Sequence, residues 1–148
     1  MTEGCVQSLQ ICLEPERRKR DEGIAFLFGF SKGSVTLAVS SFRPTATTSS
    51  GSFAVGLNAM AACVRAAARH RLQVVAQVHT HPGRAYHSEG DLAGARNRYA
   101  GYASIVIPNY GDMLPSLEGV AAFIFSEAGE WIELNTSNIQ ILPSLCDE

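Results

Sequence analysis

The sequence predicts an α+β fold, a mostly antiparallel sheet flanked by helices, and three observations carry that prediction. Two pairs of β-rich runs are separated by short turn sequences: residues 24–28 and 34–40 around FSKG, with Lys32-Gly33 at the turn, and residues 120–125 and 131–134 around SEAGE. Such pairs read as hairpins, whose strands run antiparallel. Between them, Leu57, Met60, Ala61, Val64, Ala67 and Ala68 recur at three- and four-residue steps in an alanine-rich stretch, the period of a helix with one buried face. The third observation is two continuous apolar runs, residues 72–78 (LQVVAQV) and 103–107 (ASIVI), whose length and β-branched content suit buried strands.

Taken in order, Leu9, Ile11 and Leu13 alternate with polar or smaller residues, which predicts a short first strand stopped by Glu14-Pro15. Residues 16–21, ERRKRD, read as a solvated turn rather than a binding patch, with little room for a full helix. Residues 42–52, FRPTATTSSGS, are rich in Ser, Thr, Pro and Gly and read as a loop too short to be a domain linker. Arg65, Arg69 and His70 suit the negative end of the alanine-rich helix, and Met60 and Cys63 need no role beyond packing. A further helix is expected near residues 92–99, and residues 108–111, PNYG, halt the strand before them. Trp131 reads as core or sheet-edge packing, residues 139–142 as a last strand or docked segment, and residues 142–148 as a frayed tail.

A chain of 148 residues is expected to form one domain, residues 1–148, able to bury a core without disulfides or a structural metal. Its 12 basic and 14 acidic side chains leave a formal net charge of −2, so no long-range attraction to nucleic acid or anionic lipid is expected. The N-terminal stretch carries its basic cluster after its apolar portion, the reverse of a secretory signal, and no apolar run approaches membrane-spanning length. A cytoplasmic location is therefore expected. Cys5, Cys12, Cys63 and Cys146 form no C-x-x-C pair and are expected to be free thiols.

Chemistry concentrates in residues 78–91, VHTHPGRAYHSEGD, directly after the first apolar run. In an extended chain, residues two apart share a face, so His79 and His81 can converge on one ion at about 2.0–2.1 Å per Zn–N bond while Thr80 points the other way. Pro82 has no N–H to extend an interior strand and Gly83 permits a tight turn, so the histidines should stand at a sheet edge beside a loop. Ser88, with an acid three residues later, marks a helix N-terminus and holds Asp91 in the first turn. From there the Asp91 carboxylate can supply a third ligand and leave a fourth position open, the arrangement of catalytic rather than structural zinc. The bland readings are a chance His-x-His and an ordinary capping box.

The string His79-Thr80-His81-Pro82, followed by Ser88-x-x-Asp91, resembles the signature of the JAMM (JAB/MPN) metalloprotease family. That family's motif also includes a glutamate just before a strand that ends in glycine, and Glu22-Gly23-Ile24-Ala25-Phe26-Leu27-Phe28-Gly29 matches it in position and spacing. The resemblance covers about residues 9–142. The interval from His81 to Ser88 is a residue shorter than in the best-known eukaryotic members and is similar to the short bacterial form. By composition Glu22 is one more surface acid with Asp21 as its rival, and only the fixed step to Gly29 selects it.

The resemblance implies the MPN/JAB, cytidine-deaminase-like fold with a curved sheet, and a Zn2+ ion held by His79, His81 and Asp91. Ligand type alone leaves other divalent metals open. It implies Glu22 as the general base that takes a proton from the attacking water and passes it to the leaving amine. Ser88 is the implied oxyanion donor, beside its role as helix cap. His87 has no counterpart among the family's catalytic positions and reads as a loop residue or as a partner behind the ligands.

The implied reaction is hydrolysis of the amide after the C-terminal tail of a ubiquitin or ubiquitin-like protein, in deconjugation or precursor maturation. Ubiquitin-like activating and conjugating enzymes are the implied partners, in bacterial systems of which some are linked to phage defence. The segment after the second strand can border the substrate groove in this family. Members commonly carry a longer helix where residues 16–21 stand, so the chain reads as pared down there. Residues 112–119 are short, which argues against the long insertion that some members use to select one ubiquitin-chain linkage. Two alternatives stand beside this reading: a zinc amidase on another peptide or amino-acid adduct, and a metal-free MPN scaffold, which the filled ligand positions disfavour.

Overall fold

The computed structural model describes residues 1–94 and 97–143. In chain order its elements are α1 (Glu3–Lys19), β1 (Ile24–Lys32), β2 (Val35–Phe42), β3 (Ala46–Ser49), β4 (Ser52–Val55), α2 (Leu57–Arg69), β5 (Gln73–Thr80), α3 (Glu89–Gly94), β6 (Ala103–Ile107), β7 (Ala121–Phe125) and β8 (Trp131–Leu134). Six strands form one sheet in the order β2-β1-β5-β6-β7-β8, while β3 and β4 form a separate pair. All neighbours run antiparallel except β5 and β6, which are parallel. A parallel pair needs a long crossover, and here the crossover is the segment that carries the histidine motif.

Side-chain alternation along β1 divides the core. Ala25 and Leu27 pack with Cys5, Leu9 and Leu13 of α1, whereas Phe26 and Phe28 pack with Met60, Cys63 and Ala67 of α2. The sheet is thus covered by one helix on each face. Strand β1 meets both neighbours through irregular register, shifting between Leu27 and Phe28 against β5 and between Phe28 and Gly29 against β2. Bulges of this kind bend and twist a sheet, which gives the expected curvature a local cause. Gly29 lies at the second shift. A Cβ there would come within 1.9 Å of the Leu37 carbonyl oxygen, so only glycine allows the two backbones to approach. The strand does not end at Gly29, however, and continues to Lys32; the turn falls at Gly33, whose φ is +60°.

The first expected strand is instead the middle of helix α1. Its buried positions, Cys5, Val6, Leu9, Leu13 and Glu16, follow a helical period, and Ile11, the supposed third member of an alternation, is 74% exposed. Leu9 and Leu13 are each 1% exposed, and burying such a side chain contributes about 1.5–3 kcal/mol. Thr2 caps the helix by accepting from the Cys5 N–H at 3.1 Å. Pro15 lies inside the helix. The carbonyl it leaves unpaired is that of Ile11, on the solvent side, where water can satisfy it. Residues 16–19 of the charge run form the last helical turn, where Arg17, Arg18 and Lys19 suit the dipole. The chain is therefore not pared down at this point.

Residues 42–52 contain structure that their composition hides. Thr47 pairs with Ala54 and Thr48 with Phe53, around a Ser50-Gly51 turn, so a two-stranded hairpin replaces the expected loop. Its base is tied to α1, since Arg43 pairs with the buried Glu16, and nearer the turn Thr48 Oγ1 approaches Asp21, which follows the helix, at 3.5 Å. Removing Arg43 would strand a buried carboxylate, a change that costs about 3–5 kcal/mol in fully buried pairs and less here, where the arginine is 44% exposed.

Helix α2 and strands β6 to β8 follow the sequence expectations closely. Helix α3 starts at Glu89, three residues before the expected position; residues 97–99 are not helical, and 95–96 lie outside the described residues. Strand β5 runs two residues past the expected 72–78, so His79 belongs to it. It is an interior strand flanked by β1 and β6, and the histidines stand at its end rather than at the edge of the sheet. Leu142 forms a parallel bridge with Thr2, the docked segment expected near 139–142. Cys5, Cys12 and Cys63 are free thiols, and Cys146 and the tail beyond residue 143 lie outside the described residues. Among the described residues, no helix is long and apolar enough to cross a membrane.

Candidate metal centre

The carboxyl ends of parallel strands are where α/β sheets gather their chemistry, and the β5–β6 pair is no exception. Backbone bonds fix the end of β5 from both sides. Thr80 N–H donates to Gly23 O at 3.0 Å, and His81 N–H donates to Ile107 O at 2.9 Å. Thr80 turns its hydroxyl away from the histidines and accepts from Gly23 N–H at 2.8 Å. His79 and His81 consequently face the same way, with their Nε2 atoms 3.2 Å apart.

Asp91 closes the triangle. Its Oδ1 lies 3.1 Å from His79 Nε2 and its Oδ2 lies 3.3 Å from His81 Nε2. A tetrahedral ion with bonds of about 2.0–2.1 Å separates its ligand atoms by about 3.3–3.4 Å, close to the distance between the two imidazole nitrogens, and the Asp91 carboxylate presents one oxygen to each of them. Among the described residues this is the grouping of His, Cys, Asp and Glu that could hold an ion, and all three members are buried. The donor set, two imidazoles and a carboxylate, suits zinc and similar divalent metals.

The carboxylate is delivered by a reciprocal cap at the start of α3. Ser88 Oγ accepts from Asp91 N–H at 3.1 Å and donates to Asp91 Oδ2 at 2.7 Å, while Ser88 N–H donates to the same Oδ2 at 2.8 Å. Burial alone would raise the Asp91 pKa, but hydrogen bonds from His79, His81 and Ser88 hold it well below the usual carboxylate range. The Asp91 hydrogen bond raises His81 above an ordinary imidazole, against its burial.

Glu22 stands across the same cleft. It is 6% exposed and its N–H donates to Ser49 O of the hairpin at 2.7 Å. Burial raises its pKa, with His81 opposing and Asp91 reinforcing the shift, which moves a carboxylate toward the working range of a general base. The cleft has a volume of about 300 Å³ and is lined by Glu22, His81, Ser88 and Asp91 on one side and by Ser52 and Phe53 on the other. Glu22, His81, Ser88 and Asp91 thus line one cavity, while His79 lies behind them at 0% exposure.

His87 is not part of the ligand triangle. Its ring stacks on Phe123 at 3.9 Å with an interplanar angle of 6°, and its Nε2 meets Ser104 Oγ at 2.8 Å. Ser104 Oγ also accepts from Gln77 Nε2 at 3.2 Å. Burial and the nearby His79 push its pKa down to about 4, so it is neutral at pH 7. The loop between His81 and Ser88 is anchored through this ring. Trp131, half-buried on the edge strand β8, meets the same ring edge-on at 5.2 Å, in the packing role expected of it.

Three neighbours of the ligands were not singled out in the sequence. Phe53 packs on His79 at 5.0 Å, Tyr86 meets His81 edge-on at 4.8 Å, and Gln77 lies under the cleft. Only Gln77 left a signal, a polar residue inside an apolar run and two residues before His79. The outer nitrogen of His79, Nδ1, is buried with no hydrogen-bond partner among the described residues.

Comparison with known proteins agrees with this geometry. Residues 9–127 match the family described as prokaryotic homologs of the JAB domain. A protein from Sinorhizobium fredii (strain NBRC 101917 / NGR234), named as a probable metalloprotease, is 40% identical over 63 residues, which is 43% of this chain and 39% of that protein. The match therefore spans well under half of the relative's length. The solution structure of protein DSY2949 from Desulfitobacterium hafniense superposes with a TM-score of 0.59 at 14% identity, covering 97% of this chain and 90% of that one, a likeness of fold. Since the family match takes in the glutamate, both histidines and the aspartate that the fold brings together, the chain belongs to the prokaryotic homologues of the JAB domain.

Proposed function

We propose that the protein is a zinc-dependent isopeptidase or peptidase that hydrolyses the amide after the C-terminal tail of a ubiquitin or ubiquitin-like protein, in deconjugation or in maturation of a precursor. The observation that carries this reading is the ligand triangle of His79, His81 and Asp91 at the bottom of a cleft that Glu22 and Ser88 also line. These three residues would hold a zinc ion, which would supply Lewis-acid polarisation of a carbonyl and a water of lowered pKa, near about 7. Glu22 takes the proton of the attacking water and returns it to the leaving amine. Ser88, whose hydroxyl donates to Asp91, turns toward the developing oxyanion.

The opposite wall supports an extended substrate. Gly51, Ser52, Phe53, Ala54 and Val55 line the cleft consecutively, and among the described residues β4 pairs with β3 alone, which leaves its other edge open to an added strand. Pairing along an exposed strand edge holds a peptide tail by its backbone. The activating and conjugating enzymes of a ubiquitin-like system would be the accompanying partners.

The test is incubation of zinc-loaded protein with a ubiquitin-like protein bearing a C-terminal extension, against unrelated peptide amides, with Glu22→Gln as control. Cleavage directly after the tail, lost in the control, is the expected result. Cleavage of the unrelated amides alone would replace the substrate class with that of a general amidase. A native chain that binds no metal would make it a scaffold.

A further inference from the structure

The turn after β6 contains a conformation that hydrolysis does not explain. Asn109 and Tyr110 both adopt left-handed φ, 51° and 55°, and Gly111 follows at 82°. Asparagine and glycine visit that region readily, whereas a bulky aromatic there is an outlier. Such strain persists only where the surroundings over-determine it, and it gathers at functional sites.

Both ends of Tyr110 are held. Asn109 N–H donates to Gly83 O at 2.9 Å and Tyr110 N–H donates to His81 O at 2.8 Å, so the turn is closed onto the backbone of the histidine loop. At the other end the Tyr110 hydroxyl donates to Ser50 O at 3.0 Å. Ser50 is in the turn between β3 and β4, the tip of the hairpin that forms the second wall of the cleft. The Arg20 guanidinium lies over the Tyr110 ring, 5.6 Å from its centre, and is itself held by Asp112 at 2.6 Å. The hairpin has other ties, from Arg43 to Glu16 at its base and from Glu22 N–H to Ser49 O beside the turn. The bond of Tyr110 to Ser50 is a second fastening at the tip, from the side of the histidine loop, made by a residue that does not line the cleft.

We propose that Tyr110 is a positioning residue that fixes the width of the cleft, bonding His81 through its backbone and the hairpin tip through its hydroxyl, and so sets how tightly an extended peptide is held. The effect on peptide binding rests on the proposed function, while the mechanical tie does not. Tyr110→Phe is the discriminating variant, because it deletes the hydroxyl and keeps the ring, the turn and the arginine contact.

Backbone amide exchange of the zinc-loaded protein, zinc per monomer, and steady-state kinetics on whichever amide the protein cleaves are compared with the native chain. Exchange in β3 and β4 is expected to rise about two- to ten-fold, the factor that one neutral hydrogen bond is worth. Exchange in β5 and β6 and the zinc content stay unchanged, and KM rises by a similar factor with kcat nearly constant. Unchanged hairpin exchange overturns the proposal, and so does faster exchange spread over β5 and β6. A loosened hairpin with an unmoved KM overturns the positioning role. If no ubiquitin-like fusion is cleaved at all, the substrate assignment fails while the exchange comparison still decides the tie.

Discussion

One wall of the cleft is the end of β5, where residues 74–81 are buried without interruption; the other is the β3–β4 hairpin, whose positions alternate between exposed and half-buried. The first is fixed by strands on both sides and by a helix on each face of the sheet. The second is held by a few separate ties, Arg43 to Glu16 at its base and Glu22 N–H and the Tyr110 hydroxyl near its tip. Groups that must stay within tenths of an ångström of one another sit on the rigid wall, and the wall that must admit a chain is lightly fastened. The same division appears in many sites, where a rigid scaffold presents the chemistry and loops adjust to the ligand.

If the division is real, substitutions on the two walls must fail in different ways. The largest effect is expected for Asp91→Ala, which removes one corner of the triangle. Metal affinity should fall by at least about 100-fold, the upper range for merely supporting residues, and hydrolysis should drop to background. Elemental analysis of the native and variant chains in parallel checks it. Retained metal in the variant would mean that the triangle is not the binding site.

Glu22→Gln should lower turnover by about 10²–10⁴-fold, the usual contribution of general acid–base catalysis, with the metal still bound. It should also raise the melting temperature of the metal-free protein at neutral pH, because burial penalises the charged form of Glu22. A variant that is inactive, stabilised and fully metalated would separate catalysis from ion binding on the rigid wall.

Acidity offers a finer probe of that wall in the metal-free state. His81 titrates above an ordinary imidazole through its bond to Asp91, so its contribution to stability is complete below about pH 6.5 and is lost as pH rises through its folded value. His87, held down to about 4, acts in the opposite sense as pH rises through about 6.5, so the loss owed to His81 is read as the difference in the slope of melting temperature between the native chain and Asp91→Ala from pH 6 to 8. This window lies below the range in which the buried thiols of Cys5 and Cys63, pushed up to about 11 and about 12, would favour unfolding. Glu22, also raised, loses stability in the same sense from the ordinary carboxylate range upward. Zinc should flatten the slope, since a bound imidazole is already deprotonated. Equal slopes in the two chains would contradict the His81–Asp91 bond.

The smallest effect belongs to the hairpin. Phe53→Ala removes a ring that packs on His79, and it should raise KM about two- to ten-fold, the worth of one aromatic contact, with zinc content unchanged. Loss of zinc in this variant would show that the two walls are not separable.

The rigid wall was also the more legible in sequence. A long apolar run followed at once by His79, His81, Ser88 and Asp91 keeps strand, turn and cap in one contiguous stretch, so local rules suffice. Helix α1 was misread because Leu9 and Leu13, one helical turn apart, enclose Ile11 and imitate an alternation, and because Pro15 looks like a stop where the helix carries on. The hairpin was misread for a different reason. Its inward residues face a cleft rather than a core, so Ala46–Ser49 and Ser52–Val55 show no apolar stripe. Glu22 was placed by resemblance alone. Its position comes from distant contacts, Gly23 N–H on Thr80 and its own N–H on Ser49, which no local pattern encodes. The anchoring of His87 likewise needs Ser104 and Phe123, which β6 and β7 supply.

All three ligand atoms come from one short segment, residues 79–91, whereas the contact that brings Glu22 to them spans 57 residues, from Gly23 to Thr80. Closing a short loop costs less chain entropy than closing a long one, and the short loop here can form before β1 has found β5. During folding, or in a chain partly unfolded by heat or denaturant, the ion can be captured by a chain that is not yet an enzyme. Under the proposed function, a full complement of metal would therefore certify only the loop that holds it, and a purified batch could be saturated with metal while a fraction of its molecules had never brought Glu22 to the site.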